Sequence, residues 1–200
     1  FNLREKLSEL TSKFGLKGTE LARAETVQDA RDLISAGRKN IVINGDMRIA
    51  QRGTSTASVT VTGYYAVDRF LTTLNTLGTW TVSQETDAPA GFKYSLKHTC
   101  TTADPSPGAS DYAIVYHRIE TQNIAPQIGY GTSSAKDLTL SFWVKSNKTG
   151  AASVGLFYTL GAAANRFNSA QYTINSANTW EYKTVTFVPN STVNGADDIE

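Results

Sequence analysis

Two histidines, His98 and His117, and one cysteine, Cys100, are the side chains here best suited to nucleophilic, acid–base or metal chemistry. Asp111 and Glu120 lie near them in sequence. With 17 serines and 26 threonines, a Ser–His–Asp set can be drawn on paper. No spacing supports one. There is no G-x-S-x-G elbow, no H-E-x-x-H motif and no phosphate-binding glycine loop. Glycoside hydrolysis needs a selected pair of carboxylates, and nothing singles out a pair after residue 40. A lone cysteine excludes an internal disulfide framework and a cysteine-based zinc site. Asp104 and the Asp197–Asp198 pair lack the spacing of an EF-hand loop. These residues therefore point to no enzyme, no metal and no cofactor. Cys100 reads as a small buried hydrophobe on a strand.

Binding is the other chemistry to consider. Trp80, Trp143 and Trp180 carry flat apolar faces suited to the C–H faces of sugar rings. Trp143 stands out, because alternation puts it with Thr139, Ser141 and Lys145, opposite Phe142 and Val144. A tryptophan on a hydroxyl-rich face is a ligand platform, a subunit contact, or part of a second covered face. Asp46, Arg48, Arg52, Asp68 and Arg69 form a second group. They are either sugar ligands, since carboxylates and guanidinium forks bind paired hydroxyls, or an internal ion-pair network. We read them as the network, tying the entry strand to the rest of the domain.

Composition bounds the elements that must position these residues. The chain has 200 residues, a formal charge of +1 and 18% charged residues, against about a quarter in average soluble domains. Such a near-neutral chain is a poor general nucleic-acid binder. Its apolar runs are a few residues long, too short for a bilayer-spanning helix, so membrane insertion is not expected. The charge is unevenly spread. Residues 1–40 hold 14 charged residues, and the remaining 160 hold 23.

The charged stretch reads as helical. Leu3, Leu7, Leu10 and Phe14 repeat at 4, 3 and 4, the stripe of a short coiled-coil seam. Gly15 ends that helix, and Thr19 caps a second over about 20–36, closed by Gly37. A helix this short is marginal alone, so its stripe must pack on something. We assign 1–39 as a helical docking or oligomerisation segment, with Leu3, Leu7, Leu10 and Phe14 as its contacts.

From residue 40 the texture is β. Short alternating runs recur at Ile41–Asn44, Ala66–Thr73, Trp80–Gln84, Phe92–Cys100, Tyr112–Glu120, Leu138–Ser146, Ser153–Leu160, Gln171–Ile174 and Trp180–Val188. Loops break them at Thr101–Ser110, Gly150–Ala152 and Leu160–Asn165. The expected fold is mainly β, an antiparallel β-sandwich or jelly roll over 40–200.

Five blocks carry a family resemblance. Asn40–Thr54, NIVINGDMRIAQRGT, resembles the N-L-I-I-N-G-x-M-x-x-x-Q-R-G opening of bacteriophage tail-fibre and receptor-binding proteins, familiar from marine and cyanobacterial phages. Gly63–Phe70 is similar to their Y-x-x-D-R-W/F segment. Glu120–Ile124 fits their E-x-Q-N-I. Leu138–Ser146, LTLSFWVKS, matches their strand almost letter for letter. Trp180–Val185 resembles W-x-x-K-T-V. The resemblance covers about 40–190. It implies a carbohydrate-binding-module-like β-sandwich on a virion appendage, and a domain continuing past residue 200. The expected function is that of a structural virion protein, the tail-attaching part of a homotrimeric tail fibre in host adsorption. Its partners would be further copies of itself, tail adaptor or nozzle proteins, and host surface glycan through distal parts. A glycan-binding receptor-recognition module and a capsid decoration or knob protein are the alternatives.

Overall fold

The structure is a computed structural model describing residues 23–25, 30, 40–120, 135–160 and 164–188. The chain divides into two compact units, Phe1–Ile41 and Val42–Glu200. Leu3, Leu7, Leu10 and Phe14 lie outside the described residues. Of the second expected helix, residues 23–25 turn and Ala30 is helical.

The second unit is mainly β and antiparallel. Its strands are β1 (Ser55–Val59), β2 (Gly63–Tyr64), β3 (Phe70–Asn75), β4 (Thr79–Glu85), β5 (Ser95–Thr102), β6 (Tyr112–His117), β7 (Leu138–Val144), β8 (Gly150–Leu160), β9 (Ala164–Ile174) and β10 (Glu181–Phe187). Among the described residues they form two three-stranded sheets, β1-β4-β5 and β2-β3-β6, and two strand pairs, β10-β7 and β8-β9.

Burial follows from alternation where one face is covered. Val59, Ala66, Leu74 and Val82 form a buried cluster, with Tyr65, Trp80 and Leu96 packed against it. This cluster draws on both three-stranded sheets and is the unit's best-defined apolar centre. Thr72 of β3, also buried, meets His98 of β5 at 2.9 Å. Ile174 of β9 and Val185 and Phe187 of β10 are also buried. The Phe142 and Tyr172 rings meet edge to face, with centroids 5.1 Å apart, a favoured aromatic geometry.

Several expectations need correction. Ile41–Asn44 is not a strand. Asn44 adopts φ +60°, and its carbonyl accepts the Met47 N–H at 2.9 Å, so the apolar run ends in a turn. Phe92 and Tyr94 precede β5, because Phe92 N–H closes a turn onto the Pro89 carbonyl at 3.0 Å. Cys100 is exposed rather than buried. It lies on β5, the edge of its sheet, whose Thr99–Thr102 end is exposed throughout. Gly150–Ala152 is not a loop but the start of β8, paired with Ile174–Tyr172 of β9. β6 alternates in sequence, yet Tyr112–Val115 is exposed on both faces.

Candidate functional site

Trp143 is where the sequence leads first. β7 and β10 pair without interruption over seven residue pairs, from Val144–Glu181 to Leu138–Phe187. On one face Val185 and Phe187 are buried, and Leu138, Leu140, Phe142 and Val144 half-buried. The other face is open to solvent. It carries Trp143 opposite Tyr182, Ser141 opposite Thr184 and Thr139 opposite Thr186. Trp143 is 39% and Tyr182 56% exposed. Their ring centroids are 5.4 Å apart and the planes are tilted by 57°. The Thr139 and Thr186 hydroxyls lie 3.0 Å apart.

A charged group closes one end of this face. The Lys145 ammonium is 5.9 Å from the centroid of the Trp180 ring and 2.6 Å from Asp87 Oδ2. The Trp180 indole N–H donates to Asp87 Oδ1 at 3.0 Å. Asp87 sits in the connection between β4 and β5, so this contact ties that loop to the β7–β10 pair. The Lys145 ammonium, and then the indole N–H, hold the Asp87 carboxyl below its usual range. The turn before β10 is held by Glu181. Its carboxylate accepts the Asn175 and Ser176 backbone N–H groups, the Asn175 amide and the Lys183 ammonium. Lys183 is the leading cause of its pKa falling to about 2, with the Ser176 N–H next.

The acidic and basic residues of the opening segment are internally paired. Asn44 Nδ2 donates to the carbonyls of Ile49 at 3.0 Å and Asp68 at 2.9 Å, and its Oδ1 accepts the Ile49 N–H at 3.0 Å. Asp68 Oδ1 accepts from Arg52 at 2.9 Å and Oδ2 from the Gln51 N–H at 3.4 Å. Arg48 pairs with Asp46 at 2.8 Å and Arg69 with Glu120 at 2.5 Å. Gln84 of β4 donates its amide to the Met47 carbonyl at 2.5 Å. These contacts hold the segment against the start of β3 and against β4, and Ile43 holds it to His117 at the end of β6.

Both histidines are engaged within the fold. His98 meets Thr72 and is largely desolvated, which lowers its pKa to about 4. His117 Nε2 lies 3.0 Å from both the amide N and the carbonyl O of Ile43. Burial leads in lowering its pKa. Asp111 accepts from the Gly108 N–H and the Thr76 hydroxyl rather than from a histidine.

Trp80 is no sugar platform. It packs on the core cluster and donates its indole N–H to the Leu77 carbonyl at 2.6 Å. Trp180 is half-buried beside Asp87. Only Trp143, of the three, presents an exposed ring. Sequence reasoning missed Tyr182 and Asp87. The one signal for Tyr182 was its period-2 spacing from Trp180, Thr184 and Thr186. No known family model matches the chain, and no curated protein or solved structure does either.

Proposed function

We propose that this chain is a structural virion protein, the tail-attaching part of a bacteriophage tail fibre acting in host adsorption, with its β-domain arranged as a sandwich. One observation carries the reading: residues of the first three resembling blocks hold one another, and the fourth and fifth blocks hold each other. Asn44 and Arg52 of the opening block hold Asp68 of the second. Arg69 of the second holds Glu120 of the third. The fourth and fifth blocks are β7 and β10, paired with each other. The blocks thus behave as determinants of a shared β-domain. The sandwich is supported by the apolar cluster drawn from both three-stranded sheets and by the His98–Thr72 contact between them.

In this reading the helices of 1–39 supply trimerisation or docking to a tail adaptor, through Leu3, Leu7, Leu10 and Phe14. Burial of apolar stripes does the work, without chemistry. Immunogold labelling of virions of the encoding phage, with antibodies to this chain, tests the assignment. Label on tail fibres is expected. Label on the capsid shell, or none on particles, overturns it. The docking role is tested by Leu7→Asp with Leu10→Asp, which should abolish the oligomer and tail attachment. A double variant that stays oligomeric and tail-bound refutes it.

A further inference from the structure

We propose that the Asn44–Gly45 dipeptide is a self-modification site, a deamidation centre that the fold holds shut and that opening of its turn releases. The inference stands on the geometry of that turn and does not require the chain to be a tail fibre.

The reactants are neighbours in the chain. The Gly45 backbone nitrogen attacks Asn44 Cγ. A bond forms between them, and the carboxamide nitrogen leaves as ammonia with the proton that the attacking N–H gives up. A cyclic imide remains. Water then adds at either imide carbonyl, and the ring opens to aspartate or to isoaspartate. Water is consumed, ammonia is released, and no oxidant takes part. Among the asparagines of this chain, only Asn44 and Asn194 precede glycine, which leaves the attacking nitrogen uncrowded by a Cβ. Gly45 is exposed, so water reaches the ring.

In the fold both reactants are pinned. Asn44 Oδ1 accepts the Ile49 N–H at 3.0 Å, and Nδ2 donates to the carbonyls of Ile49 at 3.0 Å and Asp68 at 2.9 Å. These bonds fix the plane of the carboxamide, which must turn toward the Gly45 nitrogen before attack. The peptide unit holding that nitrogen is fixed as well, since its carbonyl, that of Asn44, accepts the Met47 N–H at 2.9 Å. Gln84 of β4 clamps the far side of the turn, donating to the carbonyls of Met47 at 2.5 Å and Arg48 at 3.3 Å. The reactive arrangement therefore belongs to the opened turn, and the rate follows the fraction of time spent open.

The modification is also one-way. A carboxylate at position 44 only accepts, so it turns oxygen toward the Ile49 and Asp68 carbonyls that Nδ2 had satisfied. Isoaspartate lengthens the main chain by a carbon. With either product the turn does not close as before, and a passing opening becomes a lasting loss of grip on the opening segment.

The test incubates the 200-residue chain in mildly alkaline buffer with and without denaturing urea. Tryptic peptides 40–48 and 184–200 are then read by mass spectrometry for replacement of NH2 by OH, with fragmentation locating the site. In urea Asn44 should react about as fast as Asn194, and Gly45→Ala should slow it greatly. In native buffer Asn44 should react at least about tenfold more slowly than in urea. Gln84→Ala touches neither reactant. It should speed the native reaction and leave the rate in urea unchanged, with circular dichroism showing a folded protein. Asn44→Asp, the product itself, should unfold at lower urea than the parent. The proposal is overturned if Asn44 stays intact in urea, or if it reacts equally fast in native buffer. An unchanged native rate in Gln84→Ala refutes the guarding role of the turn. An unchanged urea midpoint in Asn44→Asp refutes the loss of grip.

Discussion

His98 on β5 and Thr72 on β3 meet between two sheets, Nε2 to Oγ1 at 2.9 Å. The imidazole is largely removed from water, so its charged form is disfavoured and its pKa falls from 6.5 to about 4. Between those values the unfolded chain binds a proton that the folded chain does not. Stability therefore falls as pH drops through that window and levels off below it. At about 1.4 kcal/mol per unit, the loss from pH 7 to pH 5 is about 2 kcal/mol for this residue. Burial of His117 acts in the same direction. Urea titrations at both pH values should show the loss, and His98→Gln should reduce it. An unchanged pH profile in His98→Gln would assign the effect elsewhere.

Asn44 concentrates three side-chain hydrogen bonds in a left-handed turn. Asn44→Ala removes all three and places a Cβ residue at φ +60°, where asparagine is better tolerated than alanine. A loss of about 2–3 kcal/mol is expected. Asn44→Gly removes the same bonds without the backbone strain, so it should be the milder substitution. Equal losses would mean that the backbone conformation carries no cost.

The two ends of the Arg52–Asp68 pair differ. The Asp68 side chain is 13% exposed and that of Arg52 56%. Arg52→Ala leaves Asp68 with its Gln51 N–H and should cost under about 1 kcal/mol. Asp68→Ala removes the acceptor of both bonds and should cost about 1–2 kcal/mol. Equal losses would show that the pair acts only as a charge contact.

Two glycines with positive φ make a matched comparison. A Cβ on Gly78 would lie 2.2 Å from the Thr102 carbonyl oxygen, whereas one on Gly91 meets nothing within 4 Å. Gly91→Ala should cost only the left-handed backbone term, about 1–2 kcal/mol. Gly78→Ala must in addition push β5 away from the turn before β4, for about 3 kcal/mol or more. Thermal melts of the two variants give the difference directly.

Glu181 receives four hydrogen bonds at the turn before β10. Its pKa is about 2 in the folded chain against 4.5 otherwise, so its stabilisation is present above pH 4.5 and fades as pH falls toward 2. Glu181→Gln should lower the melting temperature at pH 7, and the gap should narrow in acid. A gap independent of pH would mean that shape, not charge, matters there.

These residues also mark what a linear reading can reach. The β7 face was legible because one side of the strand is covered, so Leu138, Leu140, Phe142 and Val144 alternate with Thr139, Ser141 and Trp143. Its partner was not, because Tyr182 is brought to Trp143 by a register set over the whole ladder. β1 escaped notice for a similar reason. Its sequence, STASV, lacks an apolar alternation, and it is a strand through pairing with β4. Ile41–Asn44 shows the opposite failure. Apolar residues suggested a strand where the hydrogen bonds of Asn44 dictate a turn. Cys100 looked buried because its alternation continues that of Leu96 and His98, but β5 is exposed on both faces from Thr99 to Thr102.

The contacts of the opening segment also impose a schedule on synthesis. Ile43 is separated from His117 by 74 residues, and Asp87 from Trp180 by 93. At about 5–20 residues per second, Ile43 is made roughly 4–15 s before His117. During that interval Asn44 can already bind Ile49 and Asp68, while the contact with β6 must wait. The segment is thus secured in stages, near neighbours first, and Trp180 can reach Asp87 only after β9 has been made.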